Sequence, residues 1–252
     1  MTTATLPRSE HQAGLARAIG RWDLAAIGLN LIIGAGIFGL PSTAFRLSGA
    51  LSPVAFIAAG ATAGLIALCL TEAGSRFTQT GGPYLYAHRA FGPFIGFQTG
   101  WLRWLSGIAA FAANSNLLVD YLGQFFPVVT TAWRAPLVAA VVLVPTAVNV
   151  AGVRNATWVG HGLVAIKLIV FGVFVVGGIL TIDVGRVLGG AFPAYGAFSS
   201  SALLLFYAFV GFETVTIPGA EMRAPRRDVP FALTVDLVFV TLLYAVVQIV
   251  CI

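Results

Sequence analysis

Ile32-Ile33-Gly34-Ala35-Gly36-Ile37-Phe38-Gly39-Leu40-Pro41 decides how the rest of the chain is read. It lies in the middle of a first long apolar run, from about Trp22 to Leu47. Three glycines in six residues, with a proline just after them, make a poor helix interior. Each glycine costs roughly 1 kcal/mol relative to alanine in a helix. In lipid the difficulty sharpens, because a freed backbone N–H or C=O has no water to turn to. A break of this kind is tolerated where it is buried in protein or lines a cavity. Its open amides and carbonyls can then serve a bound ion or a small zwitterion.

Composition sets the medium. Of 252 residues, 58% are hydrophobic and 9% charged, and the mean hydropathy is +0.93. A soluble domain averages about 25% charged residues, so the chain reads as integral to a membrane. Apolar runs of about 18–25 residues, rather than about 10 with alternation, make it all-α. The net charge of +5 is carried by basic residues in short loops, which marks topology and not nucleic-acid binding. Cys69 and Cys251 both fall inside apolar runs, so no disulfide framework is expected.

Working outward, residues 1–21 read as a cytoplasmic tail and 22–252 as a transmembrane domain of seven helices: 22–47, 51–75, 93–122, 135–151, 157–181, 198–220 and 231–252. A polar turn is expected from Ser75 to Arg89, around the breaker cluster Thr80-Gly81-Gly82-Pro83. Val153-Arg154-Asn155 separates the fourth span from the fifth, and Arg223-Ala224-Pro225-Arg226-Arg227-Asp228 precedes the seventh. With the N-terminus inside, the inner segments hold nine Lys or Arg residues: Arg8, Arg17, Arg21, Arg76, Arg89, Arg154, Arg223, Arg226 and Arg227. The outer ones hold three, Arg46, Arg134 and Arg186, which orients the N-terminus to the cytoplasm of a cell (inner) membrane. The last run is still apolar at Ile252, and the chain is therefore expected to be incomplete.

Gly34-x-Gly36-x-x-Gly39 matches the dinucleotide-binding fingerprint in letters alone. That motif needs a strand before it and an acidic residue about 20 positions later. Here the flanks are membrane helix, and no acid occurs between Asp23 and Glu72. Close helix packing through small residues is the other alternative.

Three stretches together resemble the amino acid–polyamine–organocation (APC) superfamily of permeases. The first is Gly34-Ala35-Gly36-Ile37-Phe38-Gly39-Leu40-Pro41. The second is Glu72-Ala73-Gly74-Ser75-Arg76-Phe77, continuing through Gly81-Gly82-Pro83-Tyr84-Leu85-Tyr86 to Ala90-Phe91-Gly92-Pro93. The third is Phe206-Tyr207-Ala208-Phe209-Val210-Gly211-Phe212-Glu213, continuing to Glu221 and Pro225-Arg226-Arg227-Asp228-Val229-Pro230. The resemblance implies a LeuT-like fold of two inverted repeats, with the first and sixth helices unwound at the membrane centre. It implies alternating-access transport of an amino acid or related amine, sodium-independent and proton-coupled or by exchange. Members usually have about twelve helices, so the second repeat is expected to be truncated here. A truncated, transport-incompetent fragment or membrane interaction subunit is the alternative.

The resemblance also implies a site. The amides around Ala35, Gly36 and Ile37 would hold the substrate carboxylate. The carbonyls of Ile32, Tyr207 and Val210 would receive its ammonium, with the Tyr207 ring as cover and Trp104 on the substrate-facing side of the third helix. Lys167, about ten residues into the fifth span, matches a lysine that stands in place of a sodium ion and would couple to protons or tie that helix to the first. Snorkelling along its stem is the alternative. Glu213 is an intramembrane carboxylate, a functional candidate by default, with either a proton-linked role or a structural one on the unwound backbone. Arg103 could face the substrate side chain, pair with Glu213 or snorkel. Facing the site, it would disfavour cationic substrates.

Asn114, Ser115 and Asn116 read as an interhelical seam, and Glu72–Arg76 as an ordinary i, i+4 ion pair. His11, His88 and His161 are scattered, and no metal-ligand cluster, nucleophile–base set or phosphate loop stands out. No enzyme activity, cofactor or metal is expected. The expected partners are an amino acid substrate, protons and the lipid bilayer, with no nucleic acid, and oligomeric state is left open.

Overall fold

The computed structural model describes residues 19–77, 79–131, 133–150, 153–180, 182, 185 and 193–252. The tail up to residue 18, Asp183 and Arg186 lie outside the described residues, as do the side chains of Arg154, Asn155 and His161. In chain order the helices are α1 (Arg21–Ile32), α2 (Gly36–Gly39), α3 (Pro41–Ser48), α4 (Ser52–Arg76), α5 (Pro83–Phe91), α6 (Pro93–Phe125), α7 (Arg134–Val150), α8 (Val153–Ile179), α9 (Tyr195–Phe206) and α10 (Pro225–Val250). Short 3-10 turns occupy Gly49–Leu51, Pro127–Thr130, Tyr207–Phe209 and Phe212–Thr216.

Among the described residues, helix occupies part of each of those seven ranges. Five segments are long and apolar enough to cross a membrane: Arg21–Gly39, Pro41–Arg76, Gly162–Ile179, Tyr195–Thr216 and Pro225–Val250. The protein is a multi-pass, all-helical membrane protein. α6 and α7 fill the third and fourth ranges without meeting that standard of length and hydropathy.

Two loops expected from the sequence are partly helix. The polar turn after α4 contains α5, which starts on Pro83 after Gly82 turns the chain at φ +54. Proline at the first helical position has no N–H to waste and its φ is already set, so the breaker cluster starts a helix. For the same reason α10 begins at Pro225, six residues before the expected Phe231. Asp228 Oδ2 accepts the Ala224 N–H at 2.9 Å, satisfying one of the open donors at that end.

α10 is the spine. It packs most extensively on α4, then on α1, and also on α8 and the Phe212–Thr216 turn. On α4 the buried positions Ser52, Phe56, Ala59, Ala63 and Ala67 form one stripe, mostly of small side chains. Small residues let membrane helices approach closely where no hydrophobic drive joins them. On α10 the matching stripe is Val229, Leu233, Leu237, Val240, Tyr244 and Val247. Polar ties close the far end, where Gln248 Nε2 donates to the Pro41 carbonyl at 3.2 Å and to Ser52 Oγ at 2.9 Å. At the near end, Ile19 pairs in parallel with Met222, giving N···O distances of 3.1 and 3.0 Å. The chain before α1 is thus pinned to the chain before α10. The Leu163, Ile166, Ile169 and Val173 side chains of α8 stay exposed, as lipid-facing positions do.

Candidate functional site

The first break follows from the glycines. α1 ends when Ile33 takes φ −73°, ψ 81°, and the Gly34 N–H donates back to the Ile32 carbonyl at 2.7 Å. This is an inverse γ-turn, a three-residue reversal that abandons the helical ladder. Helical bonding resumes with Phe38 and Gly39 donating to Ala35 at 3.1 Å. Among the described residues the amides of Ala35, Gly36 and Ile37 have no acceptor, as expected where a helix restarts.

The second break is built differently. α9 tightens into 3-10 geometry at Tyr207–Phe209, then Val210 (φ −57°, ψ 135°) and Gly211 (φ 124°) turn the chain. The pair resembles the centre of a type II turn, whose third position demands positive φ and so glycine. Gly211 is also required by contact: a Cβ there would stand 2.6 Å from the Leu31 carbonyl oxygen. A Cβ on Gly36 would stand 2.9 Å from the Ala208 Cα. The two breaks therefore meet backbone to backbone, each glycine making room for the other helix.

Side chains hold this crossing. Lys167 Nζ on α8 donates to the Ile33 carbonyl at 2.8 Å, to Asn30 Oδ1 at 3.2 Å and to the Asn30 carbonyl at 3.3 Å. Three acceptors match the three N–H bonds of an ammonium. The Tyr244 hydroxyl, fully buried on α10, sits between the Ile32 and Ala208 carbonyls at 3.2 and 3.3 Å and donates its one proton between them. At the second break the Gly211 N–H donates to Glu213 Oε2 at 2.9 Å, and Arg103 of α6 pairs with Glu213 Oε1 and donates to Thr214 Oγ1.

A cavity of about 170 Å³ lies at the crossing, lined by Gly34, Ala35, Gly36, Arg103, Tyr207 and Val210 among others. That is below the roughly 300–1,000 Å³ of pockets for drug-sized ligands and suits a small solute. Ile32, Ala35, Gly36, Tyr207 and Val210 come together around it. The Ile32 carbonyl already receives the Gly34 N–H and faces Tyr244. The Ile37 side chain is buried on the outer side, toward a groove with Phe38 and Phe171. Trp104 does not line the cavity. It is 56% exposed, beside Trp101 at 5.1 Å between ring centroids, on the face toward Val138 and Val142 of α7. The α6 positions that do line it are Arg103, Ser106, Gly107, Ala110 and Asn114.

Sequence reasoning missed three groups. Asn30 gives Lys167 two of its three acceptors, and Tyr244 serves both breaks. Asp236 on α10 is fully buried, and neither carboxylate oxygen has a partner among the described residues. The signal for Asp236 was available, since an acid alone within an apolar run is a functional candidate by default. For Tyr244 there was none, because an aromatic in a membrane helix looks the same whether it packs or bonds.

A family model described as amino acid permease matches residues 19–252. An uncharacterized transporter of Mycobacterium tuberculosis strain H37Rv is 31% identical over 237 residues, 93% of this chain and 52% of the relative. Cationic amino acid transporter 4 of Mus musculus is 28% identical over 253 residues, 92% of this chain and 40% of the relative. The chloroplastic cationic amino acid transporter 9 of Arabidopsis thaliana is 29% identical over 263 residues, 96% and 46%. The chain spans about half the length of the curated relatives it matches.

Proposed function

Because the chain belongs to the amino acid permease family, we propose that it carries the substrate site of a secondary transporter moving a small amino acid or related amine by alternating access, in a LeuT-like arrangement of inverted repeats with a cytoplasmic N-terminus in the cell (inner) membrane. The observation that carries this reading is the meeting of the two breaks around a small cavity, with the Ala35, Gly36 and Ile37 amides unpartnered. The substrate carboxylate docks on those amides, since open backbone N–H groups in a dry site are a ready anion cradle. Its ammonium goes to the carbonyls of the second break, Val210 and Tyr207, and the Tyr207 ring covers it.

The coupling follows from Lys167. Its three oxygen acceptors are what a bound sodium ion would take, so the ammonium substitutes for sodium and transport is sodium-independent. Glu213 is structural in this reading, because its two oxygens hold the Gly211 amide and Arg103. With Glu213 committed, no free carboxylate lines the cavity among the described residues to meet a cationic side chain. The substrate accordingly has an uncharged side chain, unlike what the names of several relatives say of them.

Uptake of labelled amino acids into liposomes tests this. Uptake without sodium, competed by small neutral amino acids and not by lysine or arginine, is the expected result. Equal competition by arginine overturns the substrate assignment. A second reading is a fragment or interaction subunit that does not transport alone, favoured by coverage of only 40–52% of the relatives above. Uptake by a version continued to the relatives' length, with none by this chain, would select that reading.

A further inference from the structure

Asp236 is not explained by the substrate site. It lies eleven residues into α10, about 16 Å along the helix at 1.5 Å per residue. Its exposure is 0%, and both carboxyl oxygens lack a hydrogen-bond partner among the described residues. Its carboxyl presses against Gly28 of α1, beside the Val215 methyl of the Phe212–Thr216 turn, so closely that a Cβ on Gly28 would overlap Oδ2 and stand 2.8 Å from Val215 Cγ2. On the α1 side the acid therefore faces bare backbone, with the Val215 methyl beside it.

The described charged side chains on the elements packed around α10 are placed elsewhere. On α1, Asp23 accepts the Gly20 N–H and Arg21 lies over the Phe231 ring. On α4, Glu72 and Arg76 pair with each other. On α8, Lys167 is held by Asn30 and Ile33. On the 3-10 turn, Glu213 holds Arg103 and Gly211. On α10 itself, Arg226 donates to the Ser75 carbonyl, Asp228 accepts the Ala224 N–H, and Arg227 lines a cleft at the helix start with Arg21 and Asp23. Among the described residues, none is within ion-pair distance of Asp236.

An isolated carboxylate in such a place is prohibitively costly, so the geometry accommodates the neutral acid. We infer that Asp236 is a proton-binding site, loaded in the conformation described and opened to water when the N-terminal half-helix α1 parts from α10. The hinge for that motion is the γ-turn at Ile33, beyond which α2 and α3 are separate helices. On opening, the carboxyl O–H breaks, the proton passes to water and a hydrated carboxylate remains. α1 cannot repack over that carboxylate until a proton returns, so each closure takes up one proton. This rests on the transporter reading for its role in a cycle, but not for the protonation itself.

Two measurements test it. Infrared difference spectra of the purified, substrate-free chain across pH should show a protonated-carboxyl band that Asp236→Asn removes. In liposomes, Asp236→Asn and Asp236→Leu should still exchange substrate across the membrane but lose accumulation driven by a proton gradient. A band that survives Asp236→Asn, or gradient-driven accumulation by both variants equal to that of the parent, overturns the inference. If the band disappears as expected while the parent exchanges no substrate, the proton site is supported and the transport reading has failed.

Discussion

The two helix breaks solve one problem in opposite ways. At the first, the backbone reverses through a γ-turn and leaves three amides open, and the groups that brace it, Lys167 and Tyr244, bind its carbonyls. At the second, the Gly211 amide at the tip of the turn is taken by the carboxylate of Glu213 two residues on. Among the described residues a side chain thus caps the tip of the second turn, whereas none caps the three amides of the first. A zwitterion needs this asymmetry, with amides for its carboxylate on one side and carbonyls for its ammonium on the other. Two identical breaks would offer one sign of partial charge twice.

The largest effect should come from breaking the contact between them. Gly36→Leu places a side chain where even a Cβ stands 2.9 Å from the Ala208 Cα, which drives the breaks apart and covers the open amides. Overpacking of this kind costs about 1–3 kcal/mol, and together with the lost amides it should weaken substrate binding by ~100-fold or more. Scintillation-proximity binding measures it, with membrane insertion unchanged. Unaltered affinity would remove the amides from the site.

Lys167→Met should come next. It leaves the Ile33 and Asn30 oxygens without their cation, and hydrogen bonds to charged groups are worth about 1.5–3 kcal/mol each. The first break should loosen while the second does not. Protease protection or hydrogen exchange around Ile32–Ala35, compared with Tyr207–Gly211, reads that difference directly. Equal loosening of both would mean that they behave as one unit.

How much of this was legible beforehand differs between the breaks. The first shows in sequence as three closely spaced glycines, and chain geometry leaves them few alternatives in lipid. At the second, Gly211 gave the place of the turn, but the helix gives way four residues earlier, at Tyr207, where no residue type announces it. Lys167 was legible because a cation deep in an apolar run must find oxygens, although which oxygens depends on how α8 crosses α1. Trp104 lies one helical step from Arg103, and successive residues on a helix are 100° apart, so Arg103 reaches the cavity while Trp104 lines only the groove toward α7 that both border. Asp236 was overlooked although its residue type was the cue. The helical starts at Pro83 and Pro225 were read as loops, because a proline starting a helix and one ending it look alike without caps.

A smaller effect falls on the second break alone. Glu213→Gln keeps an acceptor for the Gly211 N–H but leaves the Arg103 guanidinium without its counter-charge. The pair is partly exposed, with side-chain exposures of 40% and 20%, so the cost should be near 1–2 kcal/mol and not that of a fully buried pair. A double-mutant cycle with Arg103→Met isolates the coupling. If Arg103 repels cationic substrates only when freed from Glu213, the single variant should also shift selectivity toward acidic amino acids. A cycle that sums to zero would show that the two side chains stabilise the turn independently.

The smallest and most informative change is Tyr244→Phe. It alters neither break's own sequence and preserves the ring that packs against Phe56 and Phe209 at 5.8 and 5.4 Å. Only the hydroxyl goes, and with it the one donor placed between the Ile32 and Ala208 carbonyls. A net hydrogen bond of this kind is worth about 0.5–1.5 kcal/mol, so thermal stability should fall modestly. The two carbonyls do not lose equally, since Ile32 keeps the Gly34 N–H and Ala208 has no second donor among the described residues. The second break should therefore be the one that loosens, the reverse of the result for Lys167→Met. Hydrogen exchange faster at Tyr207–Gly211 than at Ile32–Ala35 in this variant would establish that the hydroxyl serves mainly Ala208. The opposite order would place its proton on Ile32 and make α10 a clamp on the first break.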